Sequence, residues 1–286
     1  MRKYFWVLFP LLGFLMVRNL VYAVAEFRTA EVRHPLSEER RVTLTLPATA
    51  IEVAPSLFDL GVTSDVDGTP VRGFAFVHRK EEQAKVSNPV KGGGVKCYAF
   101  LASGAKWKSV ENWIVNPQNT RALNGSVVVS TLAEDLGLWE DAADGSVGSG
   151  TGIAIFGSGS ATDSALLADM NSPDGQNEVY FADVGDQGTI AVTIVWGVFG
   201  GPPSGRRLVK WDQVYDDVDF DWSSTGETGK MDLDNIVTHE TGHSAGLGDV
   251  YEATCSDVTM YGYAVSGETK KQILEPADIK GISDLY

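Results

Sequence analysis

The chain has 286 residues, of which 43% are hydrophobic and 21% charged, and a formal net charge of −15. That length suits one large domain or one domain with an appendage. The acidic balance argues against nucleic acid or an anionic membrane surface as partner, and the lack of any repeat or heptad pattern excludes solenoids and coiled coils.

Residues 1–25 read as an export signal: Arg2 and Lys3 give a positive start, Tyr4 to Val17 is apolar, and Ala23-Val24-Ala25 offers a small-residue cleavage site. The apolar run is shorter than the roughly twenty residues that span a bilayer. An uncleaved anchor is the competing reading. The expected location is outside the cell, or the outer face of the cytoplasmic membrane if the segment is kept.

Residues 26–95 read as a separate, small β-rich region, either a removable pro-segment or a permanent accessory. Arg33 to Arg41 is charged. Val42 to Leu46 alternates, Val71 to Val77 alternates more loosely, and Asp65-Val66-Asp67-Gly68 makes a turn between them. The same four residues could open a calcium loop, but a full ligand set is missing and a tight turn is the simpler reading. Lys91-Gly92-Gly93-Gly94 reads as a joint.

Residues 96–286 read as one further domain. Glu111 to Val115 is an expected strand, and Val129, Leu132, Ala133 and Leu136 recur at helical spacing, with Trp139 continuing the face and an end near Asp144-Gly145. Thr151 to Phe156 reads as a short apolar strand. The loop from Ser158 to Asn177 carries hard oxygen donors on Asp169, Asn171 and Asp174, a calcium candidate set against the default of a solvated loop. Val179 to Phe181 and the β-branched run Thr189 to Val198 are expected strands. Arg207 to Trp222 contains another, with Asp216, Asp217, Asp219 and Asp221 read as a solvated face.

The chemistry concentrates between Asp232 and Tyr263. Asp232 is an expected N-cap, and the following helix carries His239-Glu240-Thr241-Gly242-His243. Histidines four apart lie on one helical face, so both imidazoles can reach one ion. Neutral imidazole is a preferred zinc ligand, and Glu240 stands where a general base for the attacking water belongs. Gly246 can take the positive φ that turns the chain out of the helix, bringing Asp249 back as a third ligand. Three protein ligands with an open fourth position describe a catalytic zinc site.

His239 to Asp249, followed by Thr259-Met260-Tyr261, resembles the extended zinc motif and Met-turn of the metzincin metallopeptidases, and within them the matrixins most closely. Leu274 to Ile282 resembles the last helix of a matrixin catalytic domain. Asp249 departs from the usual matrixin histidine, as in snapalysin-like and some other prokaryotic metzincins.

The resemblance implies an α+β fold: a twisted, mixed five-stranded sheet with three helices. It implies a monomeric, secreted zinc endopeptidase that hydrolyses peptide bonds of protein or peptide substrates, with one catalytic zinc and calcium as a further candidate. His239, His243 and Asp249 would be the zinc ligands, Glu240 the general base and Met260 the floor beneath them. Tyr261 and Tyr263 would line the pocket, where Gly262 replaces a wall proline and leaves that wall looser. The run Thr189 to Val198 would be the sheet edge above the cleft, open to an extended peptide. A second, structural zinc is not expected, because only His34 and His78 lie outside the motif.

Cys97 and Cys255 allow three readings: a disulfide, a Cys97 thiolate that closes the zinc site as in latent matrixins, or free thiols. The alternative to the enzyme is a catalytically inactive binding or surface protein that keeps the fold.

Overall fold

The computed structural model describes residues 43–80 and 96–286. The export segment, the stretch from Arg33 to Arg41, His34 and the glycine joint lie outside the described residues. The elements in order are β1 (Thr43–Leu44), β2 (Ile51–Ala54), β3 (Leu57–Ser64), β4 (Pro70–Lys80), β5 (Ala99–Phe100), β6 (Glu111–Asn116), α1 (Gly125–Ala142), β7 (Phe156–Ala161), β8 (Glu178–Val184), β9 (Thr189–Val198) and β10 (Arg207–Asp216). After them come β11 (Trp222–Ser223), β12 (Met231–Asp232), α2 (Leu233–Ala245), β13 (Leu247–Gly248), β14 (Tyr263–Ala264) and α3 (Pro276–Leu285). No helix among the described residues is long and apolar enough to cross a membrane.

One mixed sheet organises these elements in the order β2-β3-β4-β9-β10-β8-β6-β7, with β1 beside β8 and β14 beside β4. The strands β6, β7, β8 and β10 run parallel to one another, and β9 is antiparallel to β10. With β9, these give a mixed sheet compatible with the α+β, matrixin-like fold that the resemblance implies, but within a sheet of ten strands. The sheet does not stop there: β4 pairs antiparallel with the free side of β9, from Arg72↔Gly197 to Arg79↔Thr189, and β3 and β2 extend it further.

The expectation of an open edge at β9 is therefore corrected. Its residues are buried from Thr189 to Gly197, as a near-continuous apolar run demands when both faces of a strand are covered. The strands β2 to β4 also continue the main sheet instead of standing apart from it. The turn at Asp65 to Gly68 joins β3 to β4, and Gly68 takes φ +83° there.

Two cores lie on opposite faces of the sheet. On one, α1 and α2 pack through Leu132, Leu136, Trp139, Ile236 and Val237. The indole N–H of Trp139 donates to Thr238 O at 2.8 Å, which fixes α1 across α2. On the other face Val71, Ala75, Val77, Val192, Ile194 and Trp196 pack together.

Two further expectations change. Residues 151–155 are not a strand: Glu140 Oε1, at the end of α1, accepts the amides of Ile155 and Phe156 at 2.7 and 2.8 Å, and the ladder begins only at Phe156. Asp216 and Asp217 are not a solvated face. Both are buried, Asp216 accepting the amides of Val184, Val218 and Asp219 and Asp217 the amide of Thr120. Burial of a carboxylate is tolerated where backbone N–H groups surround it.

Candidate metal centre

Helix α2 is set by local chemistry. Asp232 caps it, accepting from Asn235 N at 3.0 Å, and Gln272 Nε2 holds the same carboxylate at 2.7 Å. Gly246 ends it at φ +107°, where a Cβ would also meet Ala105 O at 3.0 Å. Gly242 has a different reason: a Cβ there would lie 2.2 Å from Met260 Sδ. The methionine sulfur thus packs on the bare helix backbone between the two histidines. Asp278, on α3, accepts the amides of Thr259 and Met260 at 2.9 and 3.2 Å and pins that turn in place.

The three expected ligands converge. His239 Nε2 and His243 Nε2 are 3.2 Å apart, and Asp249 Oδ1 lies 3.3 Å from the first and 3.5 Å from the second. Donors about 2.0–2.1 Å from a tetrahedral zinc are about 3.3–3.4 Å from each other, so the triangle matches the ion. The hydrogen bonds agree. His239 Nδ1 donates to Thr259 O at 2.7 Å and His243 Nδ1 to Leu247 O at 3.0 Å, leaving each Nε2 as an inward lone pair. Asp249 Oδ1 is buried and makes no hydrogen bond. Three lone-pair donors facing one another repel unless a cation sits among them. The donor set fits zinc.

The electrostatics follow. Burial, reinforced by the Lys271 ammonium, pushes His239 down to about 3, so it is neutral. Burial opposes charge on His243 as well, but the Asp249 carboxylate outweighs it and the net direction is up. A bound dication would replace that proton. Burial opposes ionisation of Asp249, yet the two histidines hold its carboxyl well below the usual range. Its Oδ2 shares the Tyr251 hydroxyl, 3.0 Å away, with Pro55 O at 2.8 Å.

Glu240 is fully buried, and burial pushes its carboxyl up to about 7. Both oxygens are engaged: Thr193 Oγ1, on β9, donates to Oε2 at 2.5 Å, and His78 Nδ1, on β4, donates to Oε1 at 2.8 Å. The His78 ring lies 3.9 Å from that of His239, and Phe76 stacks on His243 at 3.8 Å with 9° between planes. The Lys271 ammonium completes the cluster, 3.3 Å from His78 Nε2 and donating to Tyr261 O. His78, His239 and Glu240 form a second grouping of possible donors, but this ammonium at its margin disfavours a cation there.

Residue reading of the sequence assigned no role to His78, Phe76, Thr193 or Lys271. The one available signal was scarcity: His78 is one of four histidines in the chain.

The remaining expected residues fall around this centre or away from it. Tyr261 offers its carbonyl to Lys271, and Tyr263 sits in β14, paired with Arg79 of β4, its ring 5.1 Å from Tyr251. Gly262 leaves no looser wall: a Cβ there would lie 2.4 Å from the Tyr251 ring, which fills the space. Cys97 and Cys255 form a disulfide, so neither the thiolate closure nor free thiols occur. Asp169 and Asp174 lie far along the chain's other loop and cap backbone amides, Asp169 Oδ2 accepting from Asp174 N and Asp174 Oδ1 from Gln176 N, each at 2.7 Å. Asn171 is exposed beside them. Among the described residues, the groupings of three or more His, Cys, Asp or Glu donors close enough to hold a metal are the two at the histidine motif.

Residues 203–286 match the family model described as Matrixin. The match covers the zinc helix, the Met-turn and the last helix, well under half of the chain, and this part is matrixin-like. Matrixins are zinc metallopeptidases, so the match, beside a donor set that fits zinc, suggests a zinc-dependent hydrolase. No curated protein matches the chain.

Proposed function

We propose that this chain is an exported zinc endopeptidase that hydrolyses peptide bonds of proteins. The observation that carries the reading is the triangle of inward lone pairs on His239, His243 and Asp249, with Glu240 one residue from the first. The Cys97–Cys255 bridge suits an oxidising compartment, and residues 1–25 supply the export signal.

His239, His243 and Asp249 would hold the ion, with Met260 as an apolar floor. Zinc, when bound, supplies Lewis acidity toward the substrate carbonyl and lowers the pKa of water. Glu240, kept near neutrality by burial, takes the proton from water and returns it to the leaving amine. Thr193 orients one oxygen of that carboxylate; the other, bonded to His78 in this structure, would face the reaction once that contact is released. A calcium ion at Asp169, Asn171 and Asp174 remains a subsidiary proposal.

A second reading, a fold that holds metal without turnover, draws on the complete covering of Glu240 by β4. Zinc content of the purified protein, with casein hydrolysis measured with and without chelator and in Glu240→Ala, separates the two. Hydrolysis that survives the chelator or the substitution refutes the mechanism.

A further inference from the structure

Strand β4 stands in the place where an extended peptide would bind. The slot has two walls. One is β9, which β4 meets antiparallel over eight residue pairs from Arg72 to Arg79, and the other is β14, which it meets in parallel at Arg79 and Lys80. A strand added to a sheet edge is the common way to hold an extended peptide, backbone bonds giving affinity and alternate side chains specificity. Here the chain itself supplies that strand.

Its alternate side chains reach the reacting groups. Phe76 and His78, two apart and so on one face, cover His243 and His239 respectively. His78 also engages Glu240, and no surface remains exposed on His239, Glu240 or His243. The intervening Val77 and the preceding Val71 and Ala75 point to the opposite core and are themselves buried, so the strand is held firmly on both faces. Thiolate closure is not available as a substitute device, since Cys97 is bonded to Cys255.

We propose that β4 is an inhibitory strand that fills the substrate cleft, with Phe76 and His78 as the plugs over the metal centre, and that the full chain is latent until the segment bearing β4 is withdrawn. This rests on the peptidase reading for its meaning but not for its test.

The test uses the zinc-loaded full chain, the double variant Phe76→Ala/His78→Ala, the single variant His78→Ala and the conservative His78→Asn, whose amide N–H replaces Nδ1. The probe is acetohydroxamate, a small zinc chelator, followed by calorimetry, with casein hydrolysis measured in parallel. The expected result is weak binding by the unaltered chain and by His78→Asn, and at least tenfold tighter binding and faster hydrolysis in the double variant. Tighter probe binding without any hydrolysis would support the inhibitory strand and sink the peptidase reading instead. Equal probe binding by the unaltered chain and the alanine variants overturns the proposal, whatever the hydrolysis. Should the double variant lose zinc or its far-ultraviolet spectrum, His78→Ala is read by the same criteria. Hydrogen exchange on the unaltered chain needs no substitution: amides of residues 72–79 should exchange as slowly as those of β9, and open-chain rates there would also overturn it.

Discussion

His78 Nδ1 donates to Glu240 Oε1 across 2.8 Å, although 162 positions separate the two residues in the chain and neither side chain has any exposed surface. Lys271 is the acceptor-side partner of the same imidazole, donating to His78 Nε2. A neutral ring with one N–H and one lone pair satisfies both neighbours at once, and burial keeps it neutral by pushing its pKa well below the ordinary value. The bond joins the strand before the expected domain boundary to the proposed general base beyond it.

Removing the third ligand should remove the metal. Asp249→Ala is expected to weaken zinc binding by more than the tenfold to hundredfold that is typical of outer-shell changes, whereas Tyr251→Phe, which loses only the hydroxyl beside Asp249, should stay within about that range. Competition with a chromophoric chelator measures both. Unchanged affinity in Asp249→Ala would move the ligand role elsewhere.

Glu240→Ala should leave zinc content near one per chain and cut hydrolysis by the active form at least about 10²-fold, the usual worth of a positioned acid–base group. Metal analysis beside initial rates checks this. Loss of zinc in that variant would mean that Glu240 holds the site together and is not simply its base.

Gly242→Ala should destabilise the protein without altering any charge. The new methyl would overlap Met260 Sδ, whose position is fixed from behind by the Asp278 bonds to Thr259 and Met260. Overpacking of this kind costs about 1–3 kcal/mol. Thermal unfolding reads the loss, and an unchanged midpoint would show that the Met-turn is free to move.

A pH effect should arise away from the metal. Burial pushes Asp169 and Glu178 up to about 7, and the charge of Asp174 nearby adds to it. Each holds its proton in the fold at pH values where the unfolded chain has released it. Their contribution to stability is therefore complete below about pH 4 and is lost as pH rises through about 7. Asp169→Asn should flatten the fall in unfolding midpoint between pH 5 and pH 8 in chelator-treated protein. Restoration of the wild-type midpoint at pH 8 by calcium would support the ion proposed there; no effect of calcium would remove it.

Reduction of Cys97–Cys255 should cost several kcal/mol, on the order of the 2–5 kcal/mol lost when native bridges are removed. The bridge spans 158 residues and ties the start of the metal-bearing part to the loop between Asp249 and Met260. Denaturant titration with and without reductant, scored by midpoint, measures it. A shift too small to detect would mean that the buried Val250 and Val258 contacts hold that loop alone.

What could be read from the order of residues was local. The cap at Asp232, the four-residue spacing of His239 and His243, the positive φ of Gly246 and the apolar periodicity of α1 all concern groups within a few residues of each other. For these, backbone geometry alone decides which side chains share a face. The run Thr189 to Val198 was equally legible as a strand, although the open edge expected there is covered by β4.

Tertiary structure alone decided what lies next to what. Alternation in a strand sets the direction of its side chains and says nothing about which strand will be its neighbour, so the pairing of β4 with β9 could not be seen. With that pairing hidden, His78 remained a lone histidine in a distant stretch and Glu240 kept only its helical neighbours. The buried lysine was hidden for the same reason. The free energy of placing Lys271 against His78 and the Tyr261 carbonyl belongs to a cavity built by four separate segments, and no window along the chain contains it.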